Sequence, residues 1–196
     1  GKSFSVGLYI LNSRTNRDLT NECSYFYAML KGVLEETAHR NYSFNFEIGY
    51  WADIEKNNFI LDKVYSRSID GAIIVPQYSF HYSFLKALED LSFPYVICNP
   101  MVNIDPAKTV TVNNYQGAFL AVRFLAERGK RRIAVINGPR NHYDAMERAK
   151  GFNEAVVRLG LTIVPEYIAY GDFTIAGGYG AAVSMLDSAE DHPDGI

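Results

Sequence analysis

The side chains that most often carry out chemistry are scattered along this sequence rather than gathered. His39, His81, His142 and His192 share no regular interval with one another or with Cys23 and Cys98, so no metal site is expected, because zinc needs paired ligands at short spacings. A phosphate cradle of the Gly-x4-Gly-Lys-Ser/Thr type does not occur. Gly177-Gly178-Tyr179-Gly180 is rich in glycine, but it stands in a helical stretch after Phe173-Thr174, without the strand-then-turn context of a dinucleotide fingerprint. Close packing of a helix is the role it suggests. No Gly-x-Ser-x-Gly elbow exists, and no pair of carboxylates stands out from the scattered surface acids. Without nucleophile, acid–base pair, metal or cofactor cradle, the sequence points to binding rather than catalysis, and neither an enzyme nor a cofactor is expected.

The elements that must position any binding residues are well punctuated. From Thr109 to Phe152 the chain reads strand, helix, strand, helix. Thr109 to Val112 is a short β-branched run, and Asn113-Asn114 offers a side-chain cap to the following helix. Ala118, Ala121, Val122 and Leu125 share one helical face. Gly129 closes that helix as a left-handed C-cap residue would. Ile133 to Ile136 is apolar throughout, the pattern of a parallel strand covered on both faces.

The same rhythm runs through the rest. Strands are predicted at Val6 to Leu11, Phe44 to Tyr50, Gly71 to Val75, Tyr95 to Cys98 and Tyr167 to Tyr170. Helices are predicted from about Cys23 to Asn41, through Ile54, Leu61 and Val64, from Ser79 to Leu91 and from Ile175 to Leu186. Such alternation implies an α/β fold with parallel sheets flanked by helices and right-handed crossovers.

Composition narrows the class further. The 196 residues are 48% hydrophobic with a net charge of −3, enough to bury one or two cores and unlike a nucleic-acid surface. Arg128, Lys130, Arg131 and Arg132 do cluster, but without interleaved aromatics they read as a solvated helix-to-strand loop. No apolar run approaches the ~20 residues of a membrane span. With no secretory signal and two cysteines lacking a disulfide pattern, a reduced, cytoplasmic location is expected.

Specific runs then carry a resemblance. Val112 to Ala118, followed by Phe124 to Pro139, closely resembles the LacI/GalR family of bacterial transcription regulators. Matches in the same order include Ile69 to Pro76, Pro94-Tyr95-Val96, Glu147 to Phe152, Gly171 to Thr174 and His192 to Ile196, so the likeness spans nearly the whole chain. Asn113 stands where the family usually has Asp, Lys130 where it usually has His, and Asn12 to Asn21 is longer and more polar than the usual first loop.

The resemblance implies a two-lobed, periplasmic-binding-protein-like fold, with residues 1–129 as the N-terminal lobe and 130–196 as an incomplete C-terminal lobe. A small-molecule effector, a sugar or similar polar metabolite, would lie in the cleft. Operator DNA would be reached only through a helix-turn-helix domain preceding Lys2, the C-terminal lobe would continue past Ile196, and the regulator would be a homodimer. A periplasmic sugar-binding protein of a transport system shares the fold and is the alternative.

Ligands of open α/β sheets lie beyond the carboxyl ends of strands, and the residues there supply the candidate site. Arg148 matches the arginine of the family's Arg-x-x-Gly-Phe pattern, which in relatives hydrogen-bonds the effector. Its guanidinium offers five donors in a fixed fork, suited to vicinal hydroxyls or a carboxylate. Phe173 matches the aromatic that packs on the ligand, where a flat apolar face can cover a sugar ring. Phe26 matches a residue of the opposite wall, although it also belongs to its helix's apolar face. Gln77, His142 and Asp144 complete the set as polar loop residues.

Overall fold

The computed structural model describes residues 3–12, 24–54, 56, 58–76, 83–101, 104–188 and 191–196. The chain divides into two compact units, Gly1–Thr111 and Val112–Ile196.

The first unit contains β1 (Ser5–Asn12), α1 (Ser24–His39), β2 (Ser43–Tyr50), α2 (Trp51–Ile54), α3 (Phe59–Tyr65), β3 (Gly71–Pro76), α4 (Ser83–Asp90), β4 (Tyr95–Cys98) and β5 (Thr109–Val110). All neighbours in its sheet are parallel, in the order β2-β1-β3-β4-β5. Alternation along β1 explains why both faces hold. Tyr9 and Leu11 join Ile60, Ile74, Leu88 and Ile97 on one side. Leu8 and Ile10 join Val75 on the other, packed by Phe26, Met29, Leu30 and Val33 of α1. Each such fully buried aliphatic side chain contributes roughly 1.5–3 kcal/mol. The carboxylate of Asp70 accepts the backbone N–H groups of Ser3 (3.1 Å) and Phe4 (2.6 Å), which fixes the start of β1.

The second unit contains α5 (Asn114–Glu127), β6 (Val135–Asn137), α6 (Tyr143–Arg158), β7 (Ile168–Tyr170) and α7 (Ile175–Ser188). β6 and β7 pair in parallel, and a parallel bridge joins Ile133 to Gly195. On one side Val122 and Ala126 of α5 pack with Ile133, Phe152, Ala155 and Val156. On the other, Met185 of α7 packs with Ala134 and Tyr167. Both ends of α5 follow their sequence signals. Asn113 caps it by accepting from the Gln116 N–H at 2.9 Å. Gly129 takes φ +81°, and the Gly129 and Lys130 N–H groups return to the Ala126 and Leu125 carbonyls, a Schellman closure. α5 and α6 approach closely at Gly151, where a Cβ would lie 2.0 Å from the Tyr115 carbonyl oxygen.

The compact units meet at Thr111 and Val112, and α5 shares its core with α6, while the expected lobes are 1–129 and 130–196. Several expectations need correction. The stripe of α5 is shifted in part: Phe119, Val122, Leu125 and Ala126 are packed, whereas Ala121 is exposed. The single helix expected through Ile54, Leu61 and Val64 is two, since Asn58 starts α3 by accepting from the Leu61 N–H at 3.1 Å. In α7 only Gly177 is crowded, its Cβ position lying against the Asp172 carboxylate. Gly178 and Gly180 face open space, so close packing does not explain them. The helix start expected at Ser79 falls outside the described residues.

Candidate functional site

The carboxyl ends of β6 and β7 open into two loops of the second unit, residues 138–142 leading to α6 and residues 171–174 leading to α7. A hydrogen bond from the Gly171 N–H to the carbonyl of buried Asn137 (2.7 Å) ties them together. Four of the six predicted residues gather here.

Phe173 stands between the others. Its ring meets His142 edge-on, centroids 4.8 Å apart at 79°, and the Arg148 guanidinium carbon lies 5.7 Å from its centroid. The residue as a whole is still 45% exposed, which leaves part of it to solvent. Gly138 makes this position available, because a Cβ there would lie 2.2 Å from Phe173 Cε1. Behind Phe173, the Asp172 carboxylate accepts the Thr174 N–H (3.0 Å) and hydroxyl (2.7 Å), which holds that carboxyl below its usual range. The Thr174 hydroxyl in turn accepts the Gly177 N–H and starts α7.

Arg148 lies on the half-buried side of α6, and its Nη1 donates to Asn114 Oδ1 at 2.6 Å. The guanidinium is thus fixed by a neutral amide. His142 precedes α6 without capping it through its side chain. Burial pushes its pKa below 6.5 and the Arg148 charge adds to this, against the opposing pull of Asp144 in the first turn of α6. Its imidazole is therefore neutral at pH 7, with one donor and one acceptor nitrogen. Alongside, the Arg140 guanidinium carbon lies 3.6 Å from the centroid of the Tyr170 ring, at the end of β7.

The other two predicted residues belong to the first unit. Phe26 is half-buried in the apolar stripe of α1, so its packing role is realised. Gln77 lies outside the described residues. Sequence reasoning missed Asn114, Gly138 and the Arg140–Tyr170 pair. Asn114 carried one signal: of two adjacent asparagines only the first is needed as a cap.

Two hollows of the first unit, about 600 Å³ and about 660 Å³, lie near the opposite, amino ends of its strands and contain none of the six residues. Their polar groups are already engaged. Glu89 accepts from the Tyr95 hydroxyl (2.9 Å) and pairs with Lys108 (3.4 Å), and Asp70 holds the Ser3 and Phe4 N–H groups. Among the described residues no cluster of His, Cys, Asp or Glu could hold a metal ion, and no helix is long and apolar enough to cross a membrane.

Comparison with known proteins places this geometry in context. Residues 17–195 match the family described as periplasmic binding proteins and sugar binding domain of LacI family. The HTH-type transcriptional repressor CytR of Escherichia coli K12 is 30% identical over 166 residues, 84% of this chain and 48% of that protein. The HTH-type transcriptional repressor PurR of Klebsiella pneumoniae is 28% identical over 170 residues, 86% of this chain and 49% of that protein. The chain therefore spans about half the length of these curated relatives. Among solved structures, the regulator CelR in complex with cellobiose superposes with a TM-score of 0.73 at 25% identity, covering 95% of this chain and 56% of that one.

Proposed function

The chain belongs to the family of periplasmic binding proteins and LacI-type sugar-binding domains, and from that premise we propose that it is the effector-sensing domain of a LacI-type transcription regulator. It binds a sugar or similar small polar metabolite and carries out no catalysis. The observation that carries this reading is the Arg148 guanidinium, fixed by Asn114 beside the partly exposed Phe173. An aromatic face covers the C–H side of a sugar ring while a guanidinium fork takes its hydroxyls. Neutral His142 adds a donor or acceptor, and Asp144 an acceptor. Phe26 and Gln77 stay candidate effector residues on the resemblance alone.

In the complete regulator, a homodimer in the cytoplasm, effector binding alters operator affinity through a helix-turn-helix domain. Such coupling is typically about 1–3 kcal/mol and reciprocal between effector and operator. The named relatives are repressors, which favours this reading over a transport-system binding protein. Calorimetry across a sugar panel tests it. A sugar that binds should lose at least about tenfold in affinity in both Arg148→Ala and Phe173→Ala, the equivalent of roughly 1.4 kcal/mol each. A bound sugar indifferent to both changes removes these residues from the site.

A further inference from the structure

We propose that Arg140 and Arg148 form an oxyanion subsite at the carboxyl ends of β6 and β7, so that the effector is an acidic sugar or similarly acidic metabolite bearing a carboxylate or phosphate. This rests on the reading above that Arg148 faces the effector. The two guanidiniums lie on the two aromatic rings that bracket the loop after β7, Arg140 on Tyr170 and Arg148 on Phe173. Neither has a carboxylate within ion-pair distance among the described residues. The hydrogen bond of Arg148 goes to a neutral amide, and the contact of Arg140 is the Tyr170 ring.

Other arginines of the chain are arranged differently. Arg40, Arg123 and Arg158 each pair with a glutamate four residues away. Arg128 also lies on a ring, that of Phe124, but its Nη1 donates to the Phe124 carbonyl near the end of α5. The acids near the proposed subsite are Asp172, whose carboxylate takes the Thr174 N–H and hydroxyl, and Asp144, which acts on His142. A ring face holds a guanidinium in place while leaving its N–H edge to an incoming acceptor. Planar, bidentate donation is the geometry that carboxylate and phosphate oxygens accept best, and charge-assisted bonds are about twice as strong as neutral ones. Two such guanidiniums beside a neutral imidazole therefore favour an acidic ring over its neutral counterpart.

The test uses the whole chain, with inorganic phosphate and acetate titrated at constant ionic strength while the arginine Nε–H signals are followed by NMR. Both Arg140 and Arg148 should shift along one saturable curve, and Arg140→Ala or Arg148→Ala should weaken the midpoint at least about threefold. A tighter phosphate curve identifies a phosphate ester as the source of the anion, and a tighter acetate curve a sugar acid. No saturable shift, movement of one arginine alone, or the same shift with chloride overturns the subsite. Calorimetry with glucose, glucose 6-phosphate and glucuronate separates the two readings. Binding of glucose that depends on Arg148, with no gain for either acidic form, keeps the effector site and removes the acidic specificity. Binding of all three that is indifferent to Arg148→Ala removes the effector site and the subsite with it.

Discussion

Replacing Asn114 by alanine separates the anchoring of Arg148 from the presence of Arg148. The substitution deletes the Oδ1 acceptor that holds Nη1 at 2.6 Å and leaves Asn113, the cap of α5, untouched. A hydrogen bond to a charged group contributes roughly 1.5–3 kcal/mol to stability, and water reaching the half-buried guanidinium recovers part of it. Alanine also gains up to about 0.5 kcal/mol in helix propensity, less at a first helical position. The net loss is therefore about 1 kcal/mol, a drop of roughly 4–8 °C in the melting of a unit this size. Binding changes for a different reason. A released Arg148 must be immobilised by the ligand, at about 0.5–1.5 kcal/mol for a side chain with many rotamers, so Kd should weaken about two- to twelvefold. Calorimetry with the sugar that the panel selects measures this, and a cycle with Arg148→Ala isolates its cause. Asn114→Ala should have no further effect on affinity once Arg148 is gone. Full affinity in Asn114→Ala, or additive losses in the double variant, would refute the anchoring argument.

Two further outcomes follow from local geometry. Gly151→Ala drives a Cβ to 2.0 Å from the Tyr115 carbonyl oxygen and should cost about 3 kcal/mol despite better helix propensity, whereas Gly117→Ala, with nothing within 4 Å, should stabilise α5 by up to about 1 kcal/mol; thermal denaturation of the pair gives opposite signs, and equal signs contradict the packing of α5 on α6. His142 should titrate below 6.5, because burial and the Arg148 charge outweigh Asp144. Its folded pKa is depressed, so below the unfolded value of about 6.5 the unfolded chain takes up a proton that the folded one refuses. Stability from this group is complete above that pH and falls as the pH drops toward the folded pKa; an NMR midpoint above 6.5, or an acid limb unchanged in His142→Ala, contradicts this.

What could be read from the sequence was whatever short-range patterns dictate. The apolar runs of β1, β3 and β4, the Asn113 cap and the left-handed Gly129 are local signals, and each stands where its residues put it. The division into compact units at Thr111 and Val112 has no such local signal. Gly129 to Arg132 looks like a linker in composition, while the decisive fact is that Val122 and Ala126 share a core with Ile133 and Phe152. The stripe of α5 was misplaced only in part: Val122 and Leu125 pack as expected, but Phe119 and Ala126 join them in the core rather than Ala121. The site divides in the same way. Arg148, Phe173, His142 and Asp144 sit on strand-end loops and helix starts that a fold-level rule locates. Asn114 and Gly138 are 34 and 35 residues from the side chains they position, and nothing in their own neighbourhood announces those contacts.

The backbone at Phe173 adds an argument that packing alone does not supply. Among the described residues, six other than glycine take positive φ, a conformation that costs roughly 1–3 kcal/mol. Asn41, Arg67 and Ser92 do so for a local reason: each follows α1, α3 or α4, and the N–H groups there return to helix carbonyls in the Schellman pattern. Phe173, at φ 68°, follows β7 and closes no helix. A bulky aromatic residue held in that region and 45% exposed stabilises the second unit less than it would if buried. The surroundings nevertheless determine it closely. Gly138 leaves the space, Asp172 and Thr174 fix the chain on either side, and His142 meets the ring edge. Phe4 is also left-handed and exposed with no helix before it, so this conformation alone does not mark a site; what sets Phe173 apart, and supports the proposed contact with an effector, is the Arg148 guanidinium 5.7 Å from its ring centroid.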